Sequence, residues 1–361
     1  MAEKAIRLGG ESTADAIVSA VDAMYTEHTF AEKDFALKHN EDEISVDTNF
    51  AAQNFWKEAL IRFFNKKSAV LGLVLIVVIV LLAVLGPGMN SYTYSGQDLS
   101  QKNFAPRVPG IEQFGILDGS EKMSTTTGTK VTNAYQEKDK PDVYYWFGSD
   151  LYGRDIWTRT WEGARVSLII AVAAAIIDML IGMSYGLISG YFGGRVDMVM
   201  QRFLEVANGI PRLVIVTLLL LVLQPGMVTI IFALMLTEWV GMSRIARAEM
   251  LKLKDQEFVL ASRTLGAGSF FIIFKEVLPN IIGPIITQVM FSIPTAIFTE
   301  AFLSFVGLGI PVPQCSLGSL ISELYNSFTT HPYQIIPPIV VMSLLMLSFN
   351  LVADGLREAL D

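Results

Sequence analysis

Cysteine and histidine are nearly missing from this 361-residue chain, and charge is scarce. The single cysteine, Cys315, excludes an intrachain disulfide. The three histidines, His28, His39 and His331, stand far apart and suggest no ligand cluster, so no metal site is expected. No segment spells the phosphate loop Gly-x-x-x-x-Gly-Lys-Ser/Thr, so no nucleotide or other cofactor site is expected in the chain, and no catalytic residues are evident. Charged residues make up only 17%, where a soluble domain carries about a quarter.

What fills the space is apolar: 52% of the residues, gathered in runs long enough to cross a bilayer, which takes roughly 20 residues. The fold class is an all-α polytopic membrane protein with six spans, read at 68–88, 166–190, 203–223, 228–244, 281–305 and 335–353. The third span is interrupted at its start by Asn208, Gly209, Pro211 and Arg212, and Pro211 is expected to kink or delay the helix. Lysine and arginine set the orientation. With the N-terminus inside, 13 basic residues flank the inner ends of the spans, and the short outer loops 224–227 and 306–334 carry none. Both termini are then cytoplasmic.

The net charge of −8 is concentrated in residues 1–50, where eleven acids face four bases. Residues 1–54 read as an acidic cytoplasmic tail. It lacks the basic and apolar regions of a secretory signal. Residues 55–67 alternate Phe55, Leu60, Phe63 and Phe64 with Lys57, Arg62, Lys66 and Lys67, which suits an interfacial helix on the inner leaflet. Residues 89–162 form a long extracytoplasmic loop after the first span. Pro106, Pro109 and Pro141 argue against long helices there, and a folded cap and a flexible excursion both stand.

Between the fourth and fifth spans, residues 250–280 form a charged interruption. Phe258, Ala261 and Leu265 share one face of a first short helix, at i, i+3 and i+7. Gly266 and Gly268 permit a sharp turn. Phe270, Phe271, Phe274 and Val277 form a second apolar stripe, and Pro279 precedes the next run. The orientation puts this element in the cytoplasm.

Ionisable residues inside spans are costly and mark sites to consider for function. Here they are Asp178, Arg212, Glu238 and Glu300. Asp178, Glu238 and Glu300 are candidates for lining a pathway, without an intramembrane histidine or lysine to complete a proton relay. Asp354 and Arg357, at i and i+3, read as a local ion pair or a cytoplasmic gate contact. Gly182, Gly186 and Gly190, at four-residue spacing, read as a close helix–helix approach.

Four ordered stretches then carry a resemblance: Phe-Gly-Ser-Asp-Leu-Tyr-Gly-Arg-Asp (147–155), Gly-Ala-Arg-Val-Ser-Leu (163–168) with Gly-Tyr-Phe-Gly-Gly-Arg-Val-Asp (190–197), Phe-Val-Leu-Ala-Ser-Arg-Thr-Leu-Gly-Ala (258–267) with Leu-Pro-Asn (278–280), and Glu-Ala-Phe-Leu-Ser-Phe-Val-Gly-Leu-Gly (300–309) with the C-terminal run 349–361. Together they resemble the permease subunits of oligopeptide, dipeptide and nickel ABC importers, and residues 56–82 resemble that group's N-terminal segment. The resemblance implies a type I ABC importer transmembrane domain over 163–354 and a short cytoplasmic C-terminus, 355–361, in a bacterial cytoplasmic membrane. It implies a second homologous permease subunit, two ATPase subunits that bind ATP and Mg, an extracytoplasmic substrate-binding protein, a lipid bilayer around the chain and no nucleic-acid partner. The 258–267 stretch resembles the coupling motif that docks on an ATPase. Leu260 stands where that motif has its acid, so the implied contact rests on the apolar face and the glycine bend. Peptides or nickel are the implied cargo. On the residues alone a second reading stands, a self-sufficient ion-coupled transporter or channel; it requires paired intramembrane charges and internal repeats, and neither is evident.

Overall fold

A computed structural model describes residues 55–125 and 128–360, so the acidic tail read over 1–54 lies outside the described residues. Helix α1, Phe55–Asn65, is separated from α2, Lys67–Leu85, by Lys66 in an extended conformation. The 19 residues of α2, at about 1.5 Å per residue, reach about 28 Å, enough for the hydrocarbon core of a bilayer. It packs along the last helix through small residues. A Cβ on Gly72 would stand 2.7 Å from the Ser348 carbonyl oxygen, and Gly355 leaves room for Ala69.

The segment after α2 is a folded cap, the first of the two readings its sequence left open. Strands β1, Ser120–Thr125, and β2, Gly128–Asn133, pair antiparallel with Ser120 opposite Asn133. Beside them Phe104, Tyr135 and Tyr145 form a buried aromatic core, with Tyr92 stacked on Tyr145 at 4.6 Å between ring centroids. Arg107 lies over the Tyr144 ring at 4.4 Å.

Helix α3, Ile156–Phe192, begins well before the expected 166, so the loop boundary read at 162 falls inside a helix. Asp155 caps it, accepting from the Thr158 amide at 2.8 Å. Arg159, Glu162 and Arg165, which read as loop charges, each find a partner within the folded chain. A π-helical turn, Met179–Met183, interrupts α3. Gly193 and Gly194, with φ of +59° and +52°, then turn the chain sharply into α4, Gly194–Gly209. Helix α5, Arg212–Val222, follows at a 74° bend across the Pro211 break.

Helix α6 runs Met227–Leu253 with a joint at Glu238. Short helix α7, Glu257–Thr264, leads to α8, Ser269–Leu308. The second arm of the interruption is therefore the continuous beginning of α8, not a separate short helix ending before Pro279. The π-helical turn Ile272–Val277 precedes Pro279, and its wider register accommodates a residue without an amide proton. Helix α9, Leu317–Tyr325, and α10, Pro332–Leu360, complete the chain. Among the described residues five helices are long and apolar enough to cross a membrane, and the bent pair α4–α5 brings the number to six when it is taken as one broken span.

The core sits where α3, α6, α8 and α10 meet. The glycine ladder in α3 faces α6: a Cβ on Gly182 would lie 2.5 Å from the Trp239 carbonyl oxygen and one on Gly190 2.9 Å from the Met250 Cβ, with Gly186 closer still to the Ser243 carbonyl. Close packing of small residues accounts for the spacing.

Candidate functional site

The interruption between α6 and α8 folds as a two-armed projection. Helix α7 ends in a Schellman motif. Ala267 N–H donates to the Ser262 carbonyl at 3.0 Å, Gly266 N–H donates to the Arg263 carbonyl at 3.1 Å, and Gly266 takes φ +84°. The arms are anchored from below by Val259, Ile272, Ile273 and Val277, all buried against Leu187, Met242 and Met250. Arg263 lies over the Tyr191 ring at 5.5 Å and ties α7 to the end of α3.

The other face is left to solvent. Phe258, Ala261, Gly266 and Pro279 are exposed, Leu265 is 87% exposed, and Phe270, Phe271 and Phe274 are exposed beside them. The Phe270 and Phe274 rings are parallel at 6.3 Å. Periodicity identified these stripes, and of their residues only Val277 is buried; the others point outward. Val259, outside the stripe, is the residue that anchors α7. The stripe on α7 seen in sequence is thus a free surface, and α7 buries a different face.

The intramembrane charges separate into two kinds. Glu300 is 1% exposed and accepts from Ser316 Oγ at 2.5 Å, Ser304 Oγ at 2.7 Å and Ser167 Oγ at 3.2 Å. Three hydroxyls joining α3, α8 and the start of α9 enclose it. Asp178 is buried beside the π turn of α3 and accepts from Ser292 Oγ at 2.5 Å, its second oxygen having no protein partner. These two acids tie helices together inside the chain.

Glu238 differs. It sits at the joint of α6 and accepts from Arg212 at 2.6 Å across the α4–α5 break, with Thr299 at 3.4 Å. The Arg212 side chain is half-exposed. A paired intramembrane charge, not evident in sequence, is therefore present. Its two members are separated by 26 residues, and only the bent geometry brings them together. Near the end of α10, Asp354 and Arg357 are both exposed, and no ion pair joins them among the described residues. Lys66 instead bonds the Asp354 carbonyl at 3.2 Å and pairs with Glu358, fastening α1 to α10.

Sequence reasoning missed the ion-pair network beside the cap. Arg159 is fully buried; it donates to Asp150 at 2.7 Å and to Glu323 at 2.7 Å. Arg154 donates to Asp150 at 2.6 Å and pairs with Glu323 on α9. The two glycines of 147–155, Gly148 and Gly153, take positive φ and fold Asp150 back so that it also accepts from the Tyr152 and Arg154 amides at 2.9 Å. Among the described residues no group of three or more histidine, cysteine, aspartate or glutamate side chains is placed to hold a metal ion.

Comparisons with known proteins bear on this arrangement. Residues 182–361 match the family described as Binding-protein-dependent transport system inner membrane component, and residues 54–106 match the N-terminal TM domain of oligopeptide transport permease C. The chain is 41% identical to the oligopeptide transport system permease protein OppC of Bacillus subtilis, over 85% of this chain and 90% of that protein. It is 38% identical to the dipeptide transport system permease protein DppC of the same organism, over 91% and 92%. A chain from inward-facing conformations of the MetNI methionine ABC transporter superposes with a TM-score of 0.48 at 15% identity, covering 55% of this chain and 94% of that one.

Proposed function

This chain belongs to the binding-protein-dependent transport system inner membrane component family, and on that premise we propose that it is a permease subunit of an ATP-driven importer of oligopeptides or dipeptides. It forms half of the translocation path and pairs with a second, homologous permease. Two separate ATPase subunits bind ATP and Mg, and an extracytoplasmic binding protein delivers the substrate. Both termini lie in the cytoplasm of a bacterial cell. The peptide substrate follows from what the relatives are named for; a nickel cargo is the alternative within the same family.

The observation that carries the ATPase contact is the two-armed projection. Phe258, Leu265, Phe270, Phe271 and Phe274 leave an apolar face exposed, on a base fixed by Val259, Ile272, Ile273 and Val277. In a soluble environment such a face is a docking surface. Because its base is continuous with α6 and α8, closure of the ATPases moves both helices together. The π turn of α8 and the glycine-mediated contacts between α3 and α6 transmit that motion upward. Any shift between inward- and outward-open states requires that the ATPases bind the two states differently. The broken α4–α5 segment, with Arg212 and Glu238, is assigned to the pathway wall, whereas Glu300 and Asp178 brace the helices behind it. Asp354 and Arg357 lie at its inner mouth.

Replacing Phe270 and Phe274 with Asp tests the contact. The ATPase subunits should fail to co-purify while the permease pair remains assembled; undiminished association would end the docking assignment. The Arg212–Glu238 pair favours a second reading, an ion-coupled transporter. Substrate uptake by liposomes holding the permease without ATPases would support that reading.

A further inference from the structure

A cleft of about 500 Å³ opens on the flank of the bundle between α2, α3 and α10. Leu168, Val172 and Ile176 of α3 form one wall, at i, i+4 and i+8, and Val80 and Val84 of α2 form the other. Arg165 is the one charged residue of its lining. From Arg165 to Ile176 the wall rises about 16 Å at about 1.5 Å per residue, close to half the roughly 30 Å hydrocarbon thickness of a bilayer.

Arg165 is held in a fixed pose at one end. Its Nε donates to the Ala83 carbonyl at 3.0 Å and an Nη to the Val84 carbonyl at 3.1 Å, two of the carbonyls that the last turn of α2 leaves without helical partners. The other Nη meets Glu162 at 3.0 Å. A guanidinium has N–H groups to spare after these contacts. A tryptophan cluster marks the same level. Trp157 donates to the Gly86 carbonyl at 2.9 Å, Trp157 and Trp161 lie 5.6 Å apart, and Trp146 and Trp157 4.7 Å apart. The apolar run of α2 ends at this level, at Leu85, after a length close to that of the hydrocarbon core, which places Arg165 at headgroup depth and the apolar walls in the hydrocarbon.

We propose that this cleft is a binding site for a phospholipid of the surrounding bilayer, with one acyl chain between α2 and α3 and its phosphate on Arg165. An apolar cleft of this kind does not hold water, and acyl chains are what the bilayer presents to it. Arginine is the side chain best suited to grip phosphate oxygens. With Glu162 beside Arg165 the site is close to neutral, so it selects for a phosphate at the right depth more than for net headgroup charge. The bound lipid wedges α2 against α3, and so joins the N-terminal helix to the bundle independently of peptide binding or ATPase docking.

The test uses the assembled transporter, purified in mild detergent and stripped of lipid by detergent exchange. It is then offered isotope-labelled phosphatidylglycerol or dioleoylglycerol, which shares the acyl chains and lacks the phosphate. The wild type should retain phosphatidylglycerol several-fold above dioleoylglycerol. Arg165→Gln should lose that discrimination while still holding the chains. Val172→Trp and Ile169→Trp, at half-exposed positions on the cleft wall, should each retain neither lipid, whereas Leu180→Trp, lipid-facing but outside the cleft, should behave as wild type. Equal retention of the two lipids by the wild type would overturn the proposal, as would undiminished retention by both tryptophan variants or a photo-reactive residue at Ile169 that captures a partner protein in membranes.

Discussion

At the end of this protein that carries the cap, Arg159 is wholly buried and its charge is answered twice within the chain, by Asp150 and Glu323. At the opposite end Leu265 stands 87% exposed just past helix α7. One end closes on itself and the other is left open. Buried ion pairs are costly to desolvate and give little net stability, so the network is better understood as fixing geometry: it holds α9 and the cap in one register on α3. Apolar residues left in water carry the opposite message, a surface whose partner lies outside the chain.

The comparison can be broken most severely at Arg159. Arg159→Met leaves buried Asp150 and part-buried Glu323 with one cation fewer, and should destabilise the protein by about 3–5 kcal/mol, read as lost folded yield and a lower melting temperature. Replacing Phe270 by Asp should weaken ATPase binding by about 2 kcal/mol, the size of an interface hot spot, or roughly 30-fold, with an unchanged melting temperature. Should that variant instead melt like Arg159→Met, the apolar face at Leu265 is a core and not a docking surface. Gly186→Val pushes a side chain into the Ser243 carbonyl and should cost about 1–3 kcal/mol by overpacking, detectable in thermal unfolding and in slower transport.

The smallest effect expected is one of pH. Burial raises the Glu323 carboxyl, but Arg159 and Arg154 beside it prevail and hold it below its ordinary value of 4.5. A carboxylate depressed in the folded state adds stability above the ordinary value and loses it as pH falls through the folded one. The melting temperature should therefore decline as the medium is acidified below about 4.5, and Glu323→Gln should flatten that decline. A variant with the wild-type slope would show that the network does not set it.

Much of the membrane architecture was legible in the chain because its signals are local. Apolar runs, the Pro211 interruption, the Gly182, Gly186 and Gly190 spacing and the bend at Gly266 each act within a few residues. What escaped depends on long-range closure. Arg159 and Glu323 are 164 residues apart, and nothing near either names the other. Because charges at 154–165 look like loop residues until their partners are found, α3 was expected to begin near 166. The cap's hairpin was hidden by irregular periodicity, although its Phe104, Tyr135 and Tyr145 supply the core. Glu300 read as a pathway residue because an acid in an apolar run has no visible partner in sequence; folding surrounds it with the hydroxyls of Ser167, Ser304 and Ser316. Glu238 found its partner, Arg212, across a bend whose angle no motif encodes. The stripe at 258–274 was visible, but which side of it would be anchored was not, since Val259 becomes a core residue only when α3 and α6 are in place.

The central claim, that the apolar face at Leu265 is open because an ATPase covers it, is tested most directly by cysteine labelling. Cys315, the chain's one cysteine, is buried, so a thiol introduced as Leu265→Cys reports alone. Maleimide should label it rapidly in the permease pair and be strongly slowed once the ATPase subunits are bound. Equal labelling with and without the ATPases would contradict the account.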